Sequence, residues 1–167
     1  DAGESWTYRY ANEYLGSIQF INQNIGWAVG GDIMFPYSII YKTSDGGLTW
    51  DYKLFYTSNL FEEVFFIDEN NGWVCGEGGV IYNTTNGGGD WILQSDSTIY
   101  QPLKKIKMID KNIGFATGVF GTILKTKNGG MTAIGDENLS LGIVNNYLLS
   151  QNYPNPFNPS TKLSYSI

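Results

Sequence analysis

The chain has 167 residues, 42% of them hydrophobic, with 21 glycines, 12 Tyr, 9 Phe and 5 Trp, a net charge of −6 and one arginine, Arg9. It has no histidine, which removes the commonest general base and metal ligand, and a single cysteine, Cys75, which excludes an intrachain disulfide framework. The densest basic run is Lys104, Lys105 and Lys107, too small for a nucleic-acid footprint, and no apolar stretch approaches membrane-spanning length.

Abundant glycine beside abundant aromatic residues favours short strands joined by tight turns, so the expected class is all-β. The chain opens on Asp1-Ala2-Gly3-Glu4-Ser5-Trp6, a glycine turn closed by a tryptophan five residues after its aspartate. This segment lacks the basic start and apolar core of a signal peptide. It matches turns found further on, so residues 1–6 are expected to be the end of a preceding unit, with the chain starting inside it.

Residues 7–55 form the first full unit, with strands expected near 17–21, 26–31, 38–44 and 49–55. Its centre is Asn24-Ile25-Gly26-Trp27-Ala28-Val29-Gly30, and it closes on Ser44-Asp45-Gly46-Gly47-Leu48-Thr49-Trp50. The second unit, 56–95, repeats both signatures as Asn70-Asn71-Gly72-Trp73-Val74-Cys75-Gly76 and Thr85-Asn86-Gly87-Gly88-Gly89-Asp90-Trp91. Its strands are expected near 63–67, 72–76, 79–84 and 90–94. The third unit, 96–132, has Asn112-Ile113-Gly114-Phe115-Ala116-Thr117-Gly118 and then Lys127-Asn128-Gly129-Gly130-Met131-Thr132-Ala133, a turn without the tryptophan. Strands are expected at 104–109, 114–118 and 121–126, with a weak fourth around 131–134. The leading glycines Gly26, Gly72 and Gly114 stand 46 and 42 residues apart. Short strands repeating with a period in the forties indicate the blades of a propeller. The expected fold is therefore a β-propeller fragment of three four-stranded antiparallel blades in an open ring.

The closing turns resemble the Asp-box of bacterial neuraminidase repeats, Ser/Thr-x-Asp-x-Gly-x-Thr-Trp. Joined to the Gly-Trp-Ala-Val-Gly strand, they resemble the repeat of photosystem II stability and assembly factors and their bacterial propeller relatives. The resemblance covers residues 1 to about 132 and implies the fold. Sialidases, xyloglucanases, sortilin-like receptors and assembly factors share such repeats, so it leaves function open. The Asp-box residues are Asp1 and Trp6; Asp45, Gly47, Thr49 and Trp50; Asn86, Gly88 and Trp91; and Asn128 and Gly130. One column holds Asp1, Asp45, Asn86 and Asn128. A role that survives exchange of Asp for Asn is hydrogen bonding, so these residues are structural and neither catalytic nor metal-binding. The tryptophans are expected to pack over their hairpins, and Trp27, Trp73 and Phe115 to fill the space between sheets. Cys75 shares a column with Val29 and Thr117 and is expected to be a small buried side chain. Gly87-Gly88-Gly89 lacks the Lys-Ser/Thr and helix of a phosphate loop.

Antiparallel alternation places the second–third loops and the blade connections on one face, opposite the Asp-boxes. There the first unit carries a five-residue insertion within Gly31-Asp32-Ile33-Met34-Phe35-Pro36-Tyr37. Phe35 and Tyr37, with Tyr56 and Tyr100 on the connections, are the candidate ligand face, or else they simply cover the blade rims. A sialidase needs an arginine cluster, and only Arg9 is present. A glycosidase needs two facing carboxylates; Asp32, Glu62, Glu63 and Asp96 are available, and none is assigned. No catalytic residue, metal or cofactor is expected.

Residues 133–146 form a linker by composition. Residues 147–167 then contain Leu149-Ser150-Gln151-Asn152-Tyr153-Pro154-Asn155-Pro156-Phe157-Asn158-Pro159-Ser160-Thr161. This run is similar to the start of the type A C-terminal sorting domain of type IX secretion cargo, with Asn152, Pro154, Asn155, Pro156, Phe157 and Pro159 as signal residues. Three prolines enforce an extended entry, and Leu163, Tyr165 and Ile167 alternate as one strand of an incomplete β-sandwich. The resemblance implies the type IX machinery as partner and a secreted or outer cell-surface location. The expected function is a non-catalytic propeller presenting loops to a glycan or protein. The alternative is part of the catalytic propeller of a secreted glycoside hydrolase, sialidase- or xyloglucanase-like. An assembly factor is a third possibility, against which tail-directed export argues.

Overall fold

The computed structural model describes Trp6, Tyr8 and residues 11–32, 34–95 and 99–130. Asp1, Asp96, the expected strand at 131–134, the linker, and the tail with Asn152, Pro154, Asn155, Pro156, Phe157 and Pro159 lie outside the described residues.

The first blade is an antiparallel sheet of β1 (Tyr14–Phe20), β2 (Gly26–Asp32), β3 (Tyr37–Thr43) and β4 (Asp51–Phe55), in that order. The second repeats it with β5 (Phe61–Phe66), β6 (Gly72–Gly76), β7 (Ile81–Thr84) and a short β8 (Ile92–Leu93). The third has β9 (Leu103–Met108), β10 (Gly114–Gly118) and β11 (Ile123–Thr126) among the described residues. Among the described residues no strand pairs across blades, so each sheet satisfies its own ladder and meets its neighbour through side chains, some of them bonded to the neighbour's backbone.

Each first strand breaks register at the same column: between Leu15 and Ser17, between Phe61 and Glu63, and in β9 opposite Thr117 and Gly118. A one-residue bulge puts residues three apart on one face. Phe61, Val64 and Phe66 thus all turn toward blade one, and Leu103, Ile106 and Met108 toward blade two.

Two cores result. Trp27, Val29 and Ile40 of blade one pack on Phe61, Val64 and Phe66, while Trp73 and Cys75 of blade two pack on Leu103, Ile106 and Met108. Trp27 stacks on Phe66 with ring centroids 3.5 Å apart and planes 10° off parallel. Its indole N–H donates to the Gly87 carbonyl (3.2 Å), and Trp73 donates likewise to Gly129 (2.9 Å). The Trp column therefore links each blade to the Asp-box turn of the next. Phe115 departs from the expectation for this column. It is 38% exposed, because among the described residues no sheet lies beyond it.

Polar contacts join the inner strands. Gln19 bonds the Phe66 backbone through both amide atoms, Nε2 to the carbonyl (3.1 Å) and Oε1 from the N–H (2.6 Å). Between blades two and three, Lys104 meets Glu62 (2.5 Å), while buried Glu63 receives Lys105 (2.8 Å) and Lys107 (3.6 Å).

Candidate functional site

The two loop faces separate as alternation requires. On one, Gly46, Gly87 and Gly129 N–H groups donate to Asn24, Asn70 and Asn112 carbonyls, tying each Asp-box to its own first turn. On the other, Glu77 and Val119 N–H groups donate to Leu60 and Pro102 carbonyls, tying second–third turns to blade connections.

The Asp-boxes are closed hydrogen-bond units. Thr43 Oγ1 accepts the Gly47 N–H (2.9 Å) and donates to Asp45 (2.8 Å), whose carboxylate receives both the N–H (2.9 Å) and hydroxyl (2.5 Å) of Thr49. The Thr49 hydroxyl, followed by its N–H, holds the Asp45 carboxyl down to about 2. Blade two keeps the geometry with the chemistry exchanged: Asn86 accepts the Asp90 N–H (2.8 Å) and donates its amide to the Asp90 carboxylate (2.9 Å). In blade three Thr126 accepts the Gly130 N–H (2.7 Å) and donates to Asn128 (3.0 Å). Glycines at positive φ, Gly46 (74°) and Gly47 (87°), complete the reversal. Trp50 caps its hairpin by donating to the Gly47 carbonyl (3.2 Å). Trp91 instead stands edge-on to Phe66, with its indole nitrogen buried and unbonded. Trp6 is exposed, the rest of its Asp-box lying outside the described residues.

The other singled-out groups are engaged within the fold. Burial, with Glu63 next in effect, pushes the Cys75 thiol up to about 12, far from nucleophilic range. Glu62 and Glu63 are committed to lysines, and Asp32 Oδ1 accepts the N–H groups of Met34 (2.7 Å) and Phe35 (3.1 Å).

The opposite face carries the candidate ligand residues. Phe35, Tyr56 and Tyr100 are exposed there. Tyr37 is not a free loop aromatic. The insertion continues as ladder, adding the rungs Gly30↔Ile39, Gly31↔Ser38 and Asp32↔Tyr37, so Tyr37 begins β3. Its hydroxyl donates to Glu13 (3.2 Å), as does that of Tyr41 (2.9 Å). Burial and these bonds raise both phenols, Tyr41 to about 12. The raised hairpin is pinned by Ser38, whose hydroxyl donates to the Asn59 carbonyl (2.6 Å). Beside it lies a cleft of about 300 Å³ lined by Asp32, Met34, Pro36, Ser58, Leu60 and Glu77. None of Phe35, Tyr37, Tyr56 and Tyr100 is among its walls.

Sequence reasoning passed over Glu77, Met34 and Phe120. Phe120 sits at φ 56° and is 90% exposed, in the turn position that Gly78 (φ 65°) fills in blade two. Aligning Gly76-Glu77-Gly78-Gly79 with Gly118-Val119-Phe120-Gly121 exposes it as a side chain where the backbone favours glycine.

The family model described as photosynthesis system II assembly factor YCF48 matches residues 7–151. The chain belongs to the YCF48 family. Two solved structures agree. "YCF48 bound to D1 peptide" has TM-score 0.61 and 25% identity, covering 72% of this chain and 39% of its own. YCF48 from Cyanidioschyzon merolae has TM-score 0.59 and 25% identity, covering 72% and 38%. The chain thus spans about two fifths of these YCF48 structures. No curated protein sequence matches it. The three stacked sheets are blades of a YCF48-type β-propeller.

Proposed function

We propose that this chain is part of an exported propeller that binds a protein segment on the face carrying the raised β2–β3 hairpin and the blade connections, and that its blades are a scaffold rather than a catalytic barrel. The observation that carries this is the likeness to a YCF48 solved with a bound peptide, over 72% of the chain. Exposed Phe35, Tyr56, Tyr100 and Phe120 on that face supply the apolar area such binding uses. The carboxylates a glycoside hydrolase would draw on favour the scaffold reading: Glu62 and Glu63 bridge blades, and Asp32 caps a loop. Exposed aromatic rings equally suit sugar stacking, so a glycan is the second reading.

Export rests on the tail motif from Asn152 to Pro159. It gives the protein a type IX route and a secreted or surface location, away from photosystem assembly. Two measurements test the proposal. The full chain is applied to peptide and glycan arrays, with peptide binding expected; binding to glycans alone overturns it. In a type IX-competent host, the parent protein ending at residue 146 should stay in the periplasm, and its continued export refutes the route.

A further inference from the structure

The cleft beside the raised hairpin exists because of the insertion. In blades two and three the second–third connection is one tight turn, Glu77–Gly79 or Val119–Gly121, with no wall above the sheet. In blade one the added rungs lift Asp32, Met34 and Pro36 over the blade connection. The floor is Leu60, packed against Gly31 so closely that a β-carbon there would lie 2.7 Å from its Cδ2. Met34 and Ser58 are exposed on the walls, and Phe35 and Tyr56 are exposed beside them in sequence.

Two half-buried carboxylates enter this cleft, whose other walls are apolar Met34, Pro36 and Leu60 and the polar Ser58. Asp32 spends Oδ1 on its loop, while Oδ2 has no hydrogen bond among the described residues. Among the described residues Glu77 accepts only a long bond, 3.5 Å, from the Leu60 N–H. Among the described residues no basic side chain lines the cleft. Lys104, within electrostatic reach of Glu77, is bonded to Glu62. Under-satisfied carboxylates between apolar walls suit a cation on a long apolar stem.

We infer that this cleft is a subsite for a lysine or arginine side chain of a bound peptide, with an apolar neighbour of that residue lying on Met34, Phe35 and Tyr56. The inference rests on the protein-binding reading and specifies its ligand: the stem lies along Met34, Pro36 and Leu60, and the charged head reaches Asp32 and Glu77.

The test is selection of the full chain against a random peptide display library, followed by affinity measurement on the enriched peptides. Peptides carrying Lys or Arg next to an apolar residue should dominate, and their affinity should fall as salt is raised. The pair Asp32→Asn and Glu77→Gln keeps acceptors for the Met34, Phe35 and Leu60 N–H groups while removing both charges. It should weaken these peptides roughly tenfold at unchanged melting temperature. Ser58→Trp, at an exposed position, should block the cleft and give the same loss without touching the core. Enriched peptides without a cation, or indifferent to both variants, overturn this inference alone. Failure to enrich any peptide overturns it together with the protein-binding reading.

Discussion

At the scale of single residues, the aspartates of this repeat act as hydrogen-bond hubs, and their titration is a stability term. Asp45 holds the Thr49 hydroxyl and N–H and the Thr43 hydroxyl, and its pKa is lowered to about 2. A carboxyl whose folded pKa lies below the unfolded value, about 3.9, stabilises the fold above that value. The contribution is lost as pH falls through the folded pKa, so its window runs from about pH 4 down to about 2. Asp68 and Asp110, lowered chiefly by the Asn71 side chain and the Ile113 N–H respectively, add the same sign in the β5–β6 and β9–β10 turns. Blade one has Asn22 in that column, accepting the Asn24 and Ile25 N–H groups with nothing to titrate. Asp45→Asn should therefore lower stability modestly at neutral pH and flatten the acid limb. Thermal melts across that window check this; an acid limb as steep as in the parent chain would remove Asp45 as its source.

At the scale of elements, the Trp column is the joint between blades: the ring fills the core between sheets and its N–H bonds the next Asp-box turn. Trp73→Phe removes the donor to Gly129 and leaves a carbonyl unpaired between sheets, a cost of about 1–3 kcal/mol. Trp50→Phe, at a surface hairpin, should cost less. Denaturant titration of the two variants decides, and equal stabilities would mean that neither the buried indole ring nor its bond to Gly129 strengthens the joint. The column was legible from the spacing of Gly26, Gly72 and Gly114, and so was the burial of Trp27, Trp73 and Cys75. Strand starts were less so. The first strand begins at Tyr14 rather than near residue 17 because the bulge at Leu15–Ser17 breaks strict alternation. The exposed loop aromatics Phe35, Tyr56 and Tyr100 followed from alternation of faces. Tyr37 did not, since its partner Glu13 lies 24 residues away, and Glu77 joins Asp32 only because the inserted rungs raise the hairpin.

At the scale of the molecule, the repeat states which surfaces are built for contact. Phe61, Val64 and Phe66 have exact column partners in Leu103, Ile106 and Met108, and all six are buried. The same columns on blade one hold Leu15, Ile18 and Phe20, all exposed, with Ile18 61% accessible. Blade one thus presents the incoming half of a blade–blade interface that no described residue covers. An apolar strip of this kind promotes self-association in a solitary chain, and a charge placed on it has water for a neighbour. Ile18→Glu should leave the melting transition within about 0.5 kcal/mol of the parent and reduce concentration-dependent association in sedimentation. Val64→Glu and Ile106→Glu place the same carboxylate in a closed interface, where an unpaired buried charge costs several kcal/mol or forces protonation, and should unfold the chain. If Ile18→Glu proves as damaging as the other two, its column is covered in solution, and the face of blade one is part of the folded core rather than a contact surface.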